Sequence, residues 1–123
     1  MSDLRVTVGD VELDASWTGE NPETRDAIAA ALPVEGDASK WGDELYFRTP
    51  VDVPAEDARE VVEPGAIAYW PQGDAICLFW GPTPASTDER PRAASPVNVV
   101  ARIDDVGPLA EVRGGARVRV ERS

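Results

Sequence analysis

The chain has 123 residues, a hydrophobic fraction of 42% and a formal net charge of −11, from 23 acidic and 12 basic side chains. This length supports a single domain spanning residues 1–123. The absence of histidine and the presence of one cysteine exclude the usual Ser/His/Asp and Cys/His catalytic systems, a Cys/His zinc site and an internal disulfide.

The first third of the chain predicts a hairpin followed by a helix. Residues 4–8 and 11–15 alternate apolar and polar side chains across a Gly-Asp dipeptide, which is typical of a β-hairpin. Asn21 is predicted as the N-cap of the helix, with a proline at the first helical position. Small apolar side chains at helical spacing and a closing proline predict a helix near residues 22–32.

The middle of the chain predicts three strands. Residues 44–48 alternate so that Tyr46 and Arg48 share one face of a strand, while leucine and phenylalanine occupy the other face. Two apolar runs, residues 66–70 and 75–80, flank a Pro-Gln-Gly-Asp turn and indicate a second hairpin. This hairpin contains two of the four tryptophans, one of the two tyrosines and the only cysteine.

The last third predicts a long loop and two further strands. Residues 82–95 contain three prolines among polar residues, which indicates a surface loop or a flap. Residues 96–103 and 116–121 have strand patterns, and the second places arginines on one face, paired with acids, and valines on the other. About eight short strands and one helix predict a mainly β fold, either a closed barrel or a sandwich.

Four segments, taken in order, resemble a known family. Residues 42–47 (GDELYF), 65–71 (GAIAYWP), 79–84 (FWGPTP) and 95–99 (SPVNV) are similar to the signature segments of the small, mostly archaeal and bacterial cyclophilin-like proteins. The resemblance covers nearly the whole chain. It implies a closed cyclophilin-like β-barrel of about eight strands with one helix near residues 22–32, and it implies no established reaction.

The resemblance to the cyclophilins, which are peptidyl-prolyl isomerases, singles out one residue. By this resemblance, Arg48 corresponds to the cyclophilin arginine that forms hydrogen bonds at the prolyl amide while the amide bond rotates. The residues after it, TPVD at 49–52, replace a Phe-Met-x-Gln sequence, and the pocket histidine has no counterpart. The resemblance therefore implies a catalytic role for Arg48 only if the chain is a weak isomerase.

Aromatic side chains and one arginine form the predicted ligand site. A guanidinium near exposed rings holds a carbonyl, a carboxylate or a proline ring through hydrogen bonds and stacking. The alternative is that the tryptophans pack in the core or at a strand edge, and that the arginine pairs with a surface acid. The predicted ligand-binding residues are Tyr46, Arg48, Tyr69, Trp70, Gln72 and Trp80.

Three functional hypotheses remain open. The favoured one is a module that binds a peptide or a small-molecule ligand without catalysing a reaction of it. The second is a weak prolyl isomerase that uses Arg48 to stabilise the amide nitrogen during rotation, which requires no nucleophile. The third is a partner subunit that docks through residues 82–95. We expect no cofactor and no metal, and Cys77 is interpreted as a small buried hydrophobe.

The charge composition also predicts the environment. Lys40 is the only lysine among the 12 basic residues, and many carboxylates with few lysines are typical of proteins that work in molar salt. We therefore expect a halophilic cytoplasm. A single cysteine, no basic and apolar leader and no long apolar run agree with a cytoplasmic location away from membranes. The acidic balance disfavours nucleic acid as a partner, and no oligomeric state is predicted.

Overall fold

The computed structural model describes residues 2–123, which form ten β-strands, one α-helix and one short 3₁₀ helix. The predicted mainly β fold with a single α-helix is confirmed. No helix within residues 2–123 has both the length and the apolar character needed to cross a membrane. The elements are β1 Leu4–Val8, β2 Val11–Trp17, α1 Pro22–Ala31, β3 Val34–Asp37, β4 Ser39–Lys40, β5 Glu44–Arg48, β6 Arg59–Val61, β7 Ala66–Trp70, β8 Ala75–Phe79, β9 Arg92–Ile103, the 3₁₀ helix Gly107–Glu111 and β10 Arg117–Arg122.

The sheet is antiparallel, and its strands follow the order β3-β10-β1-β2-β9-β7-β8-β5-β4, with β6 paired to β9 outside this path. Both predicted hairpins are present, since β1 pairs with β2 and β7 pairs with β8. Every strand in this path except the two ends has a neighbour on both sides. The long β9 is central, because it pairs with β2, β6 and β7.

The predicted closed barrel of about eight strands is wrong, because the sheet is open between β3 and β4. These two strands follow each other in the chain but lie at opposite edges of the sheet. The backbone of Ala38, which joins them, bonds to Gly115 and Ala116 beside β10, and the next residue already pairs with β5. Side-chain packing fills the gap: a Cβ on Gly36 would lie 3.1 Å from the ring of Phe47.

One face of the sheet covers the larger of two apolar clusters, which we call the inner core. Alternate residues of the strands contribute to it, as the period of two in a strand requires. In β5, for example, Leu45 and Phe47 are 0% and 2% exposed and belong to this cluster. The inner core also contains Leu4, Val6, Val8, Leu13, Ala15, Ile28, Val34, Ile67, Tyr69, Ile76, Leu78, Ile103, Leu109, Val118 and Val120.

The opposite face of β7 and β8 carries a smaller apolar cluster, which we call the outer cluster. It consists of Val62, Ala66, Ala68, Cys77, Phe79, Ala93, Val97 and Val99, with Tyr46 and Trp70 packed against it. The first half of β9 and the short strand β6 cover this face. The predicted strand at 96–103 therefore begins earlier, at Arg92, because Arg92 pairs with Val61 of β6 and Val97 pairs with Arg59.

A network of buried polar side chains, which we call the helix network, fixes the start of α1. Asn21 occupies the predicted N-cap position, but its backbone is left-handed (φ 50°) and its side chain makes no capping bond. Its amide instead donates to the Val99 carbonyl at 2.8 Å and accepts from the Asp57 N–H at 2.6 Å. The carboxylate of Glu56 caps the helix by accepting from the N–H groups of Glu23 and Thr24.

Asn98 completes the helix network from β9, and it is 0% exposed. Its amide group donates to Thr24 Oγ1 at 2.9 Å and to the Pro54 carbonyl at 3.1 Å, and its oxygen accepts from the Glu56 N–H at 3.0 Å. These bonds tie the irregular segment after β5 to both the helix and the sheet.

The arginine-bearing face of β10 is paired with acids, as predicted. Arg117 contacts Glu35 at 3.1 Å and Asp37 at 3.3 Å. Arg119 contacts Glu35 at 2.8 Å and Glu121 at 3.1 Å. The alternate residues of the same strand, Val118 and Val120, are buried in the inner core.

Candidate ligand-binding pocket

A pocket of about 270 Å³ opens on the outer face of the sheet, over β5 and β8. This volume lies close to the lower end of the range of about 300–1,000 Å³ that is typical of small-molecule sites. The residues that line it are Trp41, Glu44, Tyr46, Trp70, Cys77, Ala93, Ala94 and Val97.

Strand register brings the floor of the pocket together. Alternation along β5 places Glu44 and Tyr46 on the outer face, and Tyr46 pairs directly with Cys77 of β8. Trp70 is the last residue of β7 and pairs with Ala75, at the turn end of the same hairpin. Three residues of β9, Ala93, Ala94 and Val97, line the pocket on the opposite side from this floor.

The aromatic wall of the pocket is held in place from several sides. The rings of Tyr46 and Trp70 meet edge to face, with centroids 6.3 Å apart and planes at 79°. The indole N–H of Trp70 donates to Ser95 Oγ at 2.5 Å. The backbone of Gly73 lies so close under the indole that no Cβ would fit there. Such edge-to-face packing with a satisfied indole N–H fixes the orientation of both rings.

Glu44 is the chemically unusual residue of the pocket. Its side chain is buried, with the residue only 6% exposed. Burial raises the pKa of its carboxyl to about 7, and a hydrogen bond with the Cys77 thiol opposes this rise. Within residues 2–123, none of the ion pairs includes Glu44. The pocket therefore contains a buried acid without a basic partner.

Cys77 is 1% exposed, which confirms the predicted burial of this side chain. Burial raises the pKa of its thiol, and the neighbouring charge of Glu44 adds to the rise. Since the thiolate is the reactive form of cysteine, a raised pKa makes this thiol a weak nucleophile. It contributes an apolar surface and a weak hydrogen-bond donor to the pocket.

The structure brings together only two of the six residues predicted to bind a ligand, Tyr46 and Trp70. Tyr69 is 0% exposed and belongs to the inner core, on the opposite face of β7. Its hydroxyl lies 2.8 Å from the Val51 carbonyl oxygen and 3.0 Å from Asp74 Oδ1, and burial raises its pKa to about 12. The prediction grouped the hairpin aromatics without assigning each to a face of its strand.

The other three predicted residues lie outside the pocket lining. Trp80 follows β8 and packs against the inner core. Gln72 is exposed in the turn between β7 and β8. Arg48 is exposed at the far end of β5, where it pairs with Ala75.

Sequence reasoning missed Glu44, Trp41 and the residues of β9. The alternation of β5 did place Glu44 on the outer face beside Tyr46. Nothing local indicated that this face would be covered, because the cover comes from residues 93–97, about fifty positions along the chain. An acid at the first position of a strand was the only available signal.

The pocket supplies few chemical groups. Its lining holds one carboxyl, one thiol, one phenol and two indoles, and the rest is aliphatic. In the part of the chain from residue 2 onward, no group of three or more His, Cys, Asp or Glu side chains is arranged to hold a metal ion. This arrangement suits recognition of a small molecule with one polar group and an apolar body.

Comparison with known proteins agrees with this architecture. A family model described as Cyclophilin-like matches residues 2–121. The solution structure of a hypothetical protein from Archaeoglobus fulgidus is 44% identical, with 99% of this chain and 95% of that chain covered and a TM-score of 0.80. A search of curated proteins found no match. The resemblance predicted from four sequence segments is confirmed, and the chain belongs to the cyclophilin-like family.

Proposed function

We propose that this protein is a binding module whose small ligand occupies the pocket formed by β5, β8 and the first half of β9. One observation carries the proposal: Glu44 is a buried carboxyl that lines an aromatic-walled pocket and has no basic partner. A strongly perturbed acid in a cleft is a recognised marker of functional sites.

A purely structural role explains Glu44 poorly. Burying a carboxyl without a partner costs free energy, whereas an apolar side chain of similar volume would add to the outer cluster. The buried amides of Asn21 and Asn98, by contrast, are hydrogen-bonded to other parts of the chain. The carboxyl of Glu44 has a hydrogen bond with the Cys77 thiol but no basic partner, so a ligand in the pocket can supply the missing positive charge.

Binding is better supported than catalysis. A hydrolytic or transfer reaction needs a nucleophile or a second placed donor, and the thiol beside Glu44 has a raised pKa. Prolyl isomerisation would depend on Arg48, which is not among the residues that line the pocket. The aromatic and aliphatic walls favour a ligand with an apolar body.

A fragment screen by NMR tests this proposal. Small molecules of roughly ten non-hydrogen atoms match a pocket of this size. We expect binders to shift the indole N–H signals of Trp41 and Trp70 while the signal of Trp17, which lies under Arg25, stays in place. Fragments that bind only elsewhere, or no binder at all, would refute the proposed function. A variant that fills the pocket, Ala94→Trp, is the matched control and should abolish the shifts.

We also infer that the protein works in concentrated salt. The support is compositional: a net charge of −11 with a single lysine. Repulsion among carboxylates opposes folding until ions screen it, so stability should increase with ionic strength. The melting temperature should rise from low to molar KCl, and a flat or falling curve would reject this inference.

A further inference from the structure

The lining of the pocket restricts the charge of its ligand. It contains one carboxyl, that of Glu44, and three aromatic rings, and none of its residues is basic. A neutral apolar ligand would leave the ionised carboxylate without a partner, and an anion would add a second negative charge beside it. A cation offsets the burial of the carboxylate and is attracted by the ring faces.

We propose that the pocket binds an organic cation, an ammonium group on an apolar stem, with Glu44 as its counter-ion and the rings of Trp41, Tyr46 and Trp70 as its walls. The proposal rests on the proposed function, because it names the chemical class of ligand for the same pocket. Glu44 and the aromatic rings are the recognition elements, while Ala93, Ala94 and Val97 contact the stem.

The arrangement of the rings supports a cationic ligand. Tyr46 and Trp70 stand nearly perpendicular, at 79°, so together they form a corner of the pocket rather than a flat stack. A cation in such a corner meets more than one π system, which is the geometry of aromatic cages for ammonium groups. The same attraction already operates elsewhere in this chain, where the Arg25 guanidinium lies 5.4 Å from the ring centroid of Trp17.

A metal cation fits the pocket less well than an organic one. Calcium and magnesium require about six oxygen ligands, and the pocket offers one carboxylate among aromatic and aliphatic groups. The apolar walls instead favour a ligand that buries hydrocarbon. An apolar stem also gives selectivity over potassium or sodium ions, which would be the competitors in concentrated salt.

Three probes of the same shape test the charge preference. Phenethylammonium is the cation, 2-phenylethanol the neutral analogue and phenylacetate the anion. Affinities are measured by NMR titration of the Trp41 and Trp70 indole signals in molar KCl at about pH 8, where Glu44 is ionised. We expect the cation to bind at least about tenfold more tightly than the neutral probe and the anion to bind most weakly.

Two variants show whether Glu44 and the rings cause the preference. Glu44→Gln keeps the shape of the side chain, so it should weaken phenethylammonium by about tenfold or more and change 2-phenylethanol by less than about twofold. Tyr46→Leu removes one ring and keeps the carboxyl, and it should weaken the cation by several-fold.

The outcomes separate this inference from the proposed function. Equal affinities for the cation and the neutral probe, or a Glu44→Gln variant that weakens both alike, overturn the organic-cation inference and leave a binding pocket. Tightest binding by the anion overturns it as well. If none of the three probes shifts the indole signals of Trp41 and Trp70, the organic-cation inference fails, and the proposed function fails with it if the fragment screen also finds no binder at these residues.

Discussion

Two buried polar sites lie along β9, and they are built differently. In the helix network, Asn98 and its neighbours are hydrogen-bonded to one another and to the backbone. In the pocket, which the adjacent Val97 helps to line, Glu44 is also buried but has no basic partner. Neighbouring residues of β9 thus contribute to both sites: Asn98 belongs to the helix network, and Val97 lines the pocket that contains Glu44 of β5.

The difference indicates what each site is for. Buried polar groups with complete hydrogen bonding stabilise a fold and specify it, because every alternative arrangement leaves some of them unpaired. A buried acid with incomplete contacts destabilises the free protein and gains most from a ligand. We therefore interpret the helix network as structural and the pocket as the proposed binding site. Substitutions confined to one site at a time test this difference.

The largest effect is expected from Asn98→Ala in the helix network. The variant removes three hydrogen bonds and leaves the Glu56 N–H and the Pro54 carbonyl without partners. We expect a loss of roughly 4 kcal/mol in the free energy of unfolding, measured by urea denaturation in molar KCl. Gln72→Ala, in an exposed turn, is the control and should change stability by less than about 0.5 kcal/mol. A loss for Asn98→Ala of under about 1 kcal/mol would contradict the structural role of the network.

The second effect is the pH dependence that Glu44 introduces. Its pKa in the folded state is about 7 against 4.5 for the ordinary value, so between these two pH values the folded protein holds a proton that the unfolded chain has lost. Stability therefore falls as pH rises through this window, by about 3 kcal/mol in total for this group.

Comparison with Glu44→Gln isolates the contribution of this one acid among many. The free energy of unfolding of the variant minus that of the wild type should increase across the window and level off above about pH 7. A difference that stays constant with pH would show that Glu44 is not buried as described.

A smaller effect is expected at the turn beneath Trp70. Gly73→Ala places a methyl group against the indole, which must shift and separate from Tyr46. We expect a loss of about 1–2 kcal/mol and weaker edge-to-face contacts between the two rings in NMR spectra. Gly114→Ala is the matched control, since its Cβ would lie 3.4 Å from Lys40, an ordinary contact. Equal effects of the two substitutions would mean that Gly73 does not support the pocket wall.

The smallest effect is expected from Arg48→Ala. Arg48 shares the strand of Glu44 and Tyr46 but is not among the pocket residues. We expect the affinity for phenethylammonium to change by less than about twofold. The same variant tests the isomerase alternative in a prolyl peptide assay: catalysis by the wild type that Arg48→Ala abolishes would favour the enzyme over the binding module.

Sequence patterns predicted the local elements well. Alternation placed Leu45 and Phe47 in the core and Tyr46 outside, and the hairpin around Gly73 formed as expected. The family resemblance followed from the same segments. These features depend on residues that are close together in the sequence, so they can be predicted from a single sequence.

Long-range pairing accounts for what the sequence patterns missed. The sheet does not close into a barrel because β3 and β4 lie at its opposite edges. Their separation depends on the backbone hydrogen bonds of Ala38 with Gly115 and Ala116, which are far away in the sequence. The cover over Glu44 depends on the pairing of β6 with the start of β9. Tyr69 does not reach the predicted site because its side chain lies on the face of β7 that packs into the inner core.

The pKa of Glu44, read from its side-chain carboxyl signal by NMR with and without phenethylammonium, tests the central claim most directly. We predict a pKa of about 7 in the free protein and a lower value once the cation is bound, because a positive charge stabilises the carboxylate. Titration near the ordinary value of 4.5, unchanged by the probe, would contradict it.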